Sequence, residues 1–315
     1  MVELSVIVPA RDEELTLPRT LPRILAAATR SGATFEVVVV VPGYTTFHHD
    51  LPVRDPRLRW LSTDTVGKFA ALRTGVEHSG GGRLIFVDAD VQPCPDAFAA
   101  IDGALRAGAD VAAGRILLDR GADAGRAVGR MLRQWMSITL GYWHDLRTHR
   151  PDLRWALPGA LYGLRREFFP GQEPAVPLLD DASIGLSARD RGARFAYRPD
   201  AGVQVRPPAS YRQWLRQKVR TRRGWAALRG LRPAEVAELQ SALSRYRAGR
   251  TGVGLAGRVM VAQDRLVDAV AWCSRSRRLP DTWRPDRSDW SGGPPPGPVR
   301  PAPTRYRPMT DVEVD

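Results

Sequence analysis

Leu84-Ile85-Phe86-Val87-Asp88-Ala89-Asp90 is the stretch that decides the fold. Four apolar residues in a row, without alternation, read as a strand buried on both faces, as in a parallel sheet covered by helices. The strand empties directly into two carboxylates two positions apart. If the extended geometry persists, Asp88 and Asp90 project to one side while Ala89 faces away. Open parallel sheets collect ligands beyond the carboxyl ends of their strands. Two hard oxygen ligands at such a place suit Mg²⁺ or Mn²⁺, with diphosphate oxygens able to share the ion. An isolated D-x-D also occurs as a solvated turn, and only the strand in front of it favours the metal.

Working outward, Leu4 to Val8 and Phe35 to Val41 are further continuous apolar runs, and Leu58 to Leu61 is a third strand candidate. Between the first two, Leu17, Leu21, Leu25 and Ala28 recur at helical spacing and stop before Gly32. Phe69, Leu72 and Val76 mark one face of a helix opening at Gly67-Lys68. The succession predicts an α/β fold: a mostly parallel sheet with helices on both faces. Farther along, Asp110 to Leu117 and Arg194 to Tyr197 read as strands. Ala182 to Arg191 reads as a helix headed by Asp180-Asp181, and Met131, Trp135, Ile138 and Tyr142 form a helical stripe expected in the core. Helices are expected from Tyr211 to about Cys273, then a Pro/Gly-rich tail expected to be disordered.

The chain has 315 residues, 43% of them hydrophobic, enough for a sizeable core. It opens without a secretory leader and holds only Cys94 and Cys273, so a reducing, cytoplasmic setting is expected. No uninterrupted apolar run reaches the roughly 18 residues of a membrane span. Of the net charge of +13, most arises between Arg206 and Arg250, where twelve Arg/Lys face two Glu. That concentration implies an anionic partner: a diphosphate, a lipid phosphate, an acidic membrane face or nucleic acid.

Three further groups carry chemistry. Gly67-Lys68 places free backbone N–H groups and a lysine at a helix start, where a phosphate would sit. Asp180-Asp181 would cap its helix, which needs one acid, leaving the other free to act as a general base. Arg216, Arg220 and Arg223 share one helix face. Such a row either forks onto diphosphate oxygens or stays a solvated basic surface. The histidines show no ligand pattern.

The order of these elements resembles that of family-2 glycosyltransferases. Ser5-Val6-Ile7-Val8-Pro9-Ala10-Arg11-Asp12-Glu13-Glu14 resembles the family's first strand and loop, and Gly67-Lys68-Phe69-Ala70-Ala71-Leu72-Arg73-Thr74-Gly75 its G-K-x-x-A-L-N-x-G segment. Leu84 to Asp90 is similar to its strand and D-x-D, and Gly159 to Glu167 to the segment before the catalytic loop. Leu179-Asp180-Asp181-Ala182-Ser183-Ile184-Gly185-Leu186 looks like E-D-x-x-L-G-L, with Asp180 where the family usually has Glu. Gln217 to Gly224 resembles the Q-x-x-R-W-x-x-G region.

The resemblance implies a GT-A-type fold and an inverting transfer of one sugar from a nucleotide diphosphate-sugar to a hydroxyl or phosphate acceptor, which a basic surface would allow to be lipid-linked. It implies that Pro9, Arg11 and Glu13 line the nucleotide, and that Lys68, Gln217, Arg220 and Arg223 lie on the donor. Asp88 and Asp90 would hold the metal, and Asp181, beside Asp180, would be the base. The implied organisation is a nucleotide-sugar half (1–95), an acceptor and catalytic half (96–230), a helical extension (231–275) and the tail (276–315).

Two departures stand out. Where the family commonly has an acidic stretch after the second strand, this chain has Val41-Pro42-Gly43-Tyr44-Thr45. Thr221 replaces the tryptophan of processive synthases, which points to single addition. A non-catalytic sugar-nucleotide-binding relative or regulatory subunit is the alternative that the first departure raises. A peripheral position on the inner membrane face is consistent with the basic stretch. Nucleic-acid binding would explain that stretch alone and leave the ordered motifs unaccounted for.

Overall fold

Val6, Ile7 and Val8 are fully buried because β1 (Leu4–Pro9) has a parallel neighbour on each side: β2 (Phe35–Pro42) and β4 (Arg83–Val87). The computed structural model describes residues 1–43, 53–65, 67–119, 127–208, 210–251 and 255–273. Its other strands are β3 (Leu58–Thr63), β5 (Gln92–Pro93), β6 (Val111–Leu118), β7 (Leu161–Arg165) and β8 (Phe195–Val205). They form one eight-stranded sheet in the order β3-β2-β1-β4-β7-β6-β8-β5. The tail expected beyond residue 275 lies outside the described residues.

The unbroken apolar runs are explained by helices on both faces. Val6, Val37, Val39 and Ile85 point to α1 (Leu17–Arg30) and α3 (Ala97–Arg106). Their sequence neighbours Ile7, Val38, Val40 and Leu84 meet α2 (Lys68–Glu77) on the other face. Beyond the sheet, α4 (Ala127–His149), α5 (Asp180–Asp190), α6 (Tyr211–Leu231), α7 (Pro233–Thr251) and α8 (Leu255–Cys273) complete the fold. Trp135 packs with Trp214, Val219 and Val267, and Met131 and Ile138 lie against them, so this part of the stripe is core as expected, while Tyr142 is half-buried outside that cluster. Among the described residues no helix is long and apolar enough to cross a membrane.

Parallel pairing holds on the β3-β2-β1-β4 side and again between β6 and β8. β7 runs antiparallel between β4 and β6, and β5 antiparallel to β8. β5, β7 and α3 were not anticipated from the sequence. Ala97, Phe98, Ile101, Ala104 and Leu105 of α3 are buried at helical spacing, a signal that was there to be found.

Arg165 ends β7 and Arg166 follows it, and the two side chains reach different helices. Arg166 donates to the carbonyls of Val76 (2.6 Å), Gly81 (2.8 Å) and Ser79 (2.9 Å), closing the end of α2. Arg165 donates to those of Leu105 (3.1 Å) and Ala109 (3.3 Å), closing the end of α3. Charge-assisted bonds to the carbonyls at helix ends are among the stronger ones. Arg166→Ala is expected to cost about 2–4 kcal/mol in urea unfolding. Arg166→Lys should recover only part of it, because an ammonium lacks the planar fork. A loss below about 0.5 kcal/mol would contradict the capping role.

Candidate active site

The chain turns as soon as β4 ends, so the extended geometry expected through Asp88-Ala89-Asp90 stops at Val87. Two bonds fix the turn. The Asp88 N–H donates to the Ala160 carbonyl (3.3 Å), and the Thr20 hydroxyl of α1 donates to the Ala89 carbonyl (2.7 Å). Ala89 is buried, while Asp88 and Asp90 are half-buried. Burial first, and the Asp88 charge second, push the Asp90 carboxyl up to about 7 against the opposing pull of Lys68. A carboxylate held in its neutral range by burial and a neighbouring acid is short of positive charge, and a divalent cation fits that need. Among the described residues no group of three or more His, Cys, Asp or Glu side chains could hold a metal. Any ion at Asp88 and Asp90 would therefore take its remaining ligands from diphosphate oxygens or water.

Lys68 is the centre of the site. Gly67, with φ of 127°, makes the turn that starts α2, a conformation glycine adopts without a Cβ clash. The Lys68 ammonium then reaches Asp88 Oδ1 (2.6 Å), the Gly159 carbonyl (3.2 Å) and, farther off, Asp180 Oδ2 (3.8 Å). Burial opposes its charge, but the neighbouring carboxylates, Asp88 foremost, hold it well above the ordinary lysine value. One cation thus joins the strand-end turn to the acids that open α5.

Those acids do not cap their helix. α5 begins at Asp180, its N-cap is Leu179, and no side chain bonds the cap position. Asp180 is 4% exposed. Asp181 Oδ1 accepts the Ala182 N–H (2.8 Å), and its other oxygen lies against Gly159, where a Cβ would sit 2.9 Å away. Burial and the Asp180 charge push Asp181 up to about 6, partly offset by Lys68, the Ala182 N–H and Arg147. A carboxyl so placed is suited to take a proton near neutral pH. Arg147, missed in the sequence, is buried and donates twice to the Ala156 carbonyl (2.9 and 3.2 Å), pinning the loop that carries Gly159. Tyr162, between Leu161 and Gly163 on β7, was missed as well and is fully buried.

α6 lies directly on the turn before these acids. Gly224 packs on Leu178 and Leu179, and a Cβ there would come within 2.7 Å of Leu179. Arg220 sits one turn before Gly224 on the same face and is half-buried, as is Arg223, whereas Gln217 is exposed. The acids that the basic stretch lacks come from α8. Arg222 pairs with Asp268 (3.1 Å) and Asp264 (3.6 Å), and Arg247 also pairs with Asp264. Arg212 and Arg216 remain exposed.

At the opposite lip, Pro9 ends β1 and Arg11 follows, with its Nε buried and without a hydrogen-bond partner. Asp12 takes a positive φ of 55°, strain of about 1–3 kcal/mol that proteins tend to keep at ligand sites. Glu13 is buried and accepts the Thr16 hydroxyl at the head of α1. The missing acid after β2 has a neighbour: Asp64, just past β3, places its carboxylate where a Cβ of Gly43 would be. Residues 44–52 of that loop, which include Tyr44 and Thr45, lie outside the described residues.

Residues 5–156 match the family model described as Glycosyl transferase family 2. Over 115 residues the chain is 30% identical to an undecaprenyl-phosphate 4-deoxy-4-formamido-L-arabinose transferase of Aeromonas hydrophila, covering 34% of this chain and 35% of that one. It spans about a third of the length of the curated relatives it matches. Its fold is similar to that of a mannosyltransferase from Pyrobaculum calidifontis in complex with GDP-Man and Mn²⁺, with a TM-score of 0.55, 19% identity, and coverage of 85% of this chain and 81% of that one. It is also similar to glucosyl-3-phosphoglycerate synthase from Mycobacterium tuberculosis in complex with Mn²⁺, UDP and phosphoglyceric acid, with a TM-score of 0.51, 20% identity, and coverage of 73% and 78%. The architecture is of the GT-A type that the sequence led us to expect.

Proposed function

Since the chain belongs to glycosyl transferase family 2 through residues 5–156, we propose that it is an inverting glycosyltransferase moving one sugar from a nucleotide diphosphate-sugar to a hydroxyl or phosphate acceptor. The observation that carries this reading is the Lys68 bridge from Asp88 to the Asp180–Asp181 turn. It supports reading Asp88 as the diphosphate side of the site and Asp181 as the base beside it.

Asp181 takes the proton of the acceptor O–H as that oxygen attacks the anomeric carbon. The bond from that carbon to the diphosphate oxygen breaks on the opposite face, and its electron pair leaves with the nucleotide diphosphate. Mg²⁺ or Mn²⁺ held by Asp88 and Asp90 would supply charge to the departing diphosphate. Lys68 and the α6 arginines, Arg220 and Arg223 with Gln217 beside them, add to that stabilisation. Pro9 and Arg11 flank the nucleotide, with Glu13 holding their loop through Thr16. Asp64 restores an acid beside Gly43, which supports an active enzyme over a regulatory subunit that only binds the sugar nucleotide.

A thermal-shift panel of nucleotide diphosphates, with and without Mn²⁺, tests the donor. One base is expected to raise Tm in a metal-dependent way, and a panel with no shift at all would remove the proposal.

The relatives named as undecaprenyl-phosphate transferases support a lipid-linked phosphate acceptor and a peripheral place on the cytoplasmic face of the membrane. Arg212, Arg216 and Arg229 provide exposed charge for it. Sedimentation with vesicles should require anionic lipid and weaken between about 0.05 and 0.5 M salt. Binding indifferent to both would exclude this acceptor surface.

A further inference from the structure

Two buried polar atoms of the site have complementary needs and meet neither. The Tyr162 hydroxyl is on a fully buried side chain of β7 and makes no hydrogen bond. Its ring is fixed by stacking on Phe86, with centroids 5.0 Å apart. The ring packs in one cluster with Ile184 and Ala188 of α5, the helix that Asp180 and Asp181 open. Burial, and then the charges of those acids and Asp88, hold the phenol well above its ordinary value, so it is a neutral donor. Asp180 Oδ2 is likewise buried without a hydrogen bond, its ion partner Lys68 standing off at 3.8 Å. A buried unsatisfied hydroxyl and a buried unsatisfied carboxylate oxygen are both costly, and retention of both in one site needs a reason.

Lys68 supplies one. Its short contact is with Asp88, the carboxylate assigned above to the metal and diphosphate. When that charge arrives, the lysine has a stronger partner in the diphosphate than in Asp180, and Asp180 loses the one cation within ion-pair distance of it among the described residues. We propose that Tyr162 is a positioning residue for the catalytic acids: its hydroxyl donates to Asp180 once Lys68 turns to the donor diphosphate. The hand-over keeps Asp180 in place beside Asp181 during transfer. It rests on the donor reading above, but its central prediction can be measured without any substrate.

The test is a double-mutant cycle in Tm on the full chain. In the wild-type background Tyr162→Phe removes an unbonded hydroxyl and is expected to raise Tm by about 2–5 °C. In Lys68→Met, Asp180 lacks the lysine and already accepts from Tyr162. There the same Tyr162→Phe change should lower Tm by a similar amount. This reversal of sign is what a purely structural tyrosine would not produce. A rise in both backgrounds, or a fall in both, overturns the proposal. Lys68→Gln serves the same cycle if the methionine variant does not fold.

A second arm measures GDP and UDP binding with Mn²⁺ by calorimetry. Tyr162→Phe should weaken the bound nucleotide about 5–10-fold, although the ring lies out of a ligand's reach. Equal affinities would overturn the coupling. Sign reversal in a protein that binds neither nucleotide would keep the hand-over and remove the donor.

Discussion

Asp181→Asn is expected to lower kcat by about 10²–10⁴-fold and, at neutral pH, to raise Tm by a few degrees. The two effects have one cause. Burial and the Asp180 charge push the Asp181 carboxyl up to about 6 in the folded protein, against about 3.9 in an unfolded chain. Between those values the folded state binds more protons than the unfolded state. Stability therefore falls as pH rises through roughly 4 to 6, and the full cost is present above the folded value. Asparagine has the same shape and no charge, so it removes the cost together with the base. The stability gain should be complete near pH 7 and absent below about pH 4. In the wild type the acid limb of kcat/KM should fall near pH 6, the value at which Asp181 loses its proton. An asparagine variant that keeps activity within tenfold, or that is less stable than wild type at pH 7, would rule out Asp181 as the base.

Gly185→Ala should be the most damaging small change in the site. Glycine inside a helix normally gains about 1 kcal/mol on replacement by alanine, and Gly185 lies in the middle of α5. Here the Trp155 carbonyl occupies the place of the new methyl, with Leu157 Cγ only 3.2 Å from it. That carbonyl is backbone, held by the Leu157 N–H at 2.9 Å, and has no rotamer to move to. Overpacking of this kind costs typically 1–3 kcal/mol or more, so the clash should outweigh the propensity gain. We expect a net loss of about 2–4 kcal/mol by urea unfolding. A further fall in kcat should follow, as α5 carries Asp180 and Asp181 away from Lys68. Gly103→Ala in α3 is the control, since a Cβ there meets nothing within 4 Å. It should stabilise by about 0.5–1 kcal/mol. If both alanines stabilise, the contact between α5 and the Trp155 loop is not as close as described.

Much of the donor side was legible because burial leaves a local mark. Val37 to Val41 had to be apolar at every position once helices covered both faces, and residue period reports that directly. Period does not report direction. Leu161 to Arg165 is only five residues, interrupted by Gly163 and ended by an arginine, so β7 was missed altogether, and its antiparallel direction with it. Pairings between distant elements were likewise out of reach. The Lys68–Asp180 contact, Asp64 against Gly43, and the α8 acids on Arg222 exist only once helices and strand ends are stacked. The expectation that Asp180-Asp181 caps α5 failed because the helix begins at Asp180, two residues before the expected Ala182. With Leu179 at the cap, both acids fall inside the first turn and their carboxylates become available to Lys68.

The antiparallel β7 also has a consequence for synthesis of the chain. β4 pairs with β1 on one edge and with β7 on the other, Val87 opposite Leu161 and Arg83 opposite Arg165. A nascent chain emerging through residue 156, the extent of the family match, would already hold β1, β2, β3 and β4 but leave β4 with an open edge. The Asp88 turn would also lack the Ala160 carbonyl that its N–H needs. Pairings this distant in sequence form late and slowly. The donor cleft should therefore stay sticky and incomplete on the ribosome until the strand bearing Tyr162 has cleared the exit tunnel, and then close in one step.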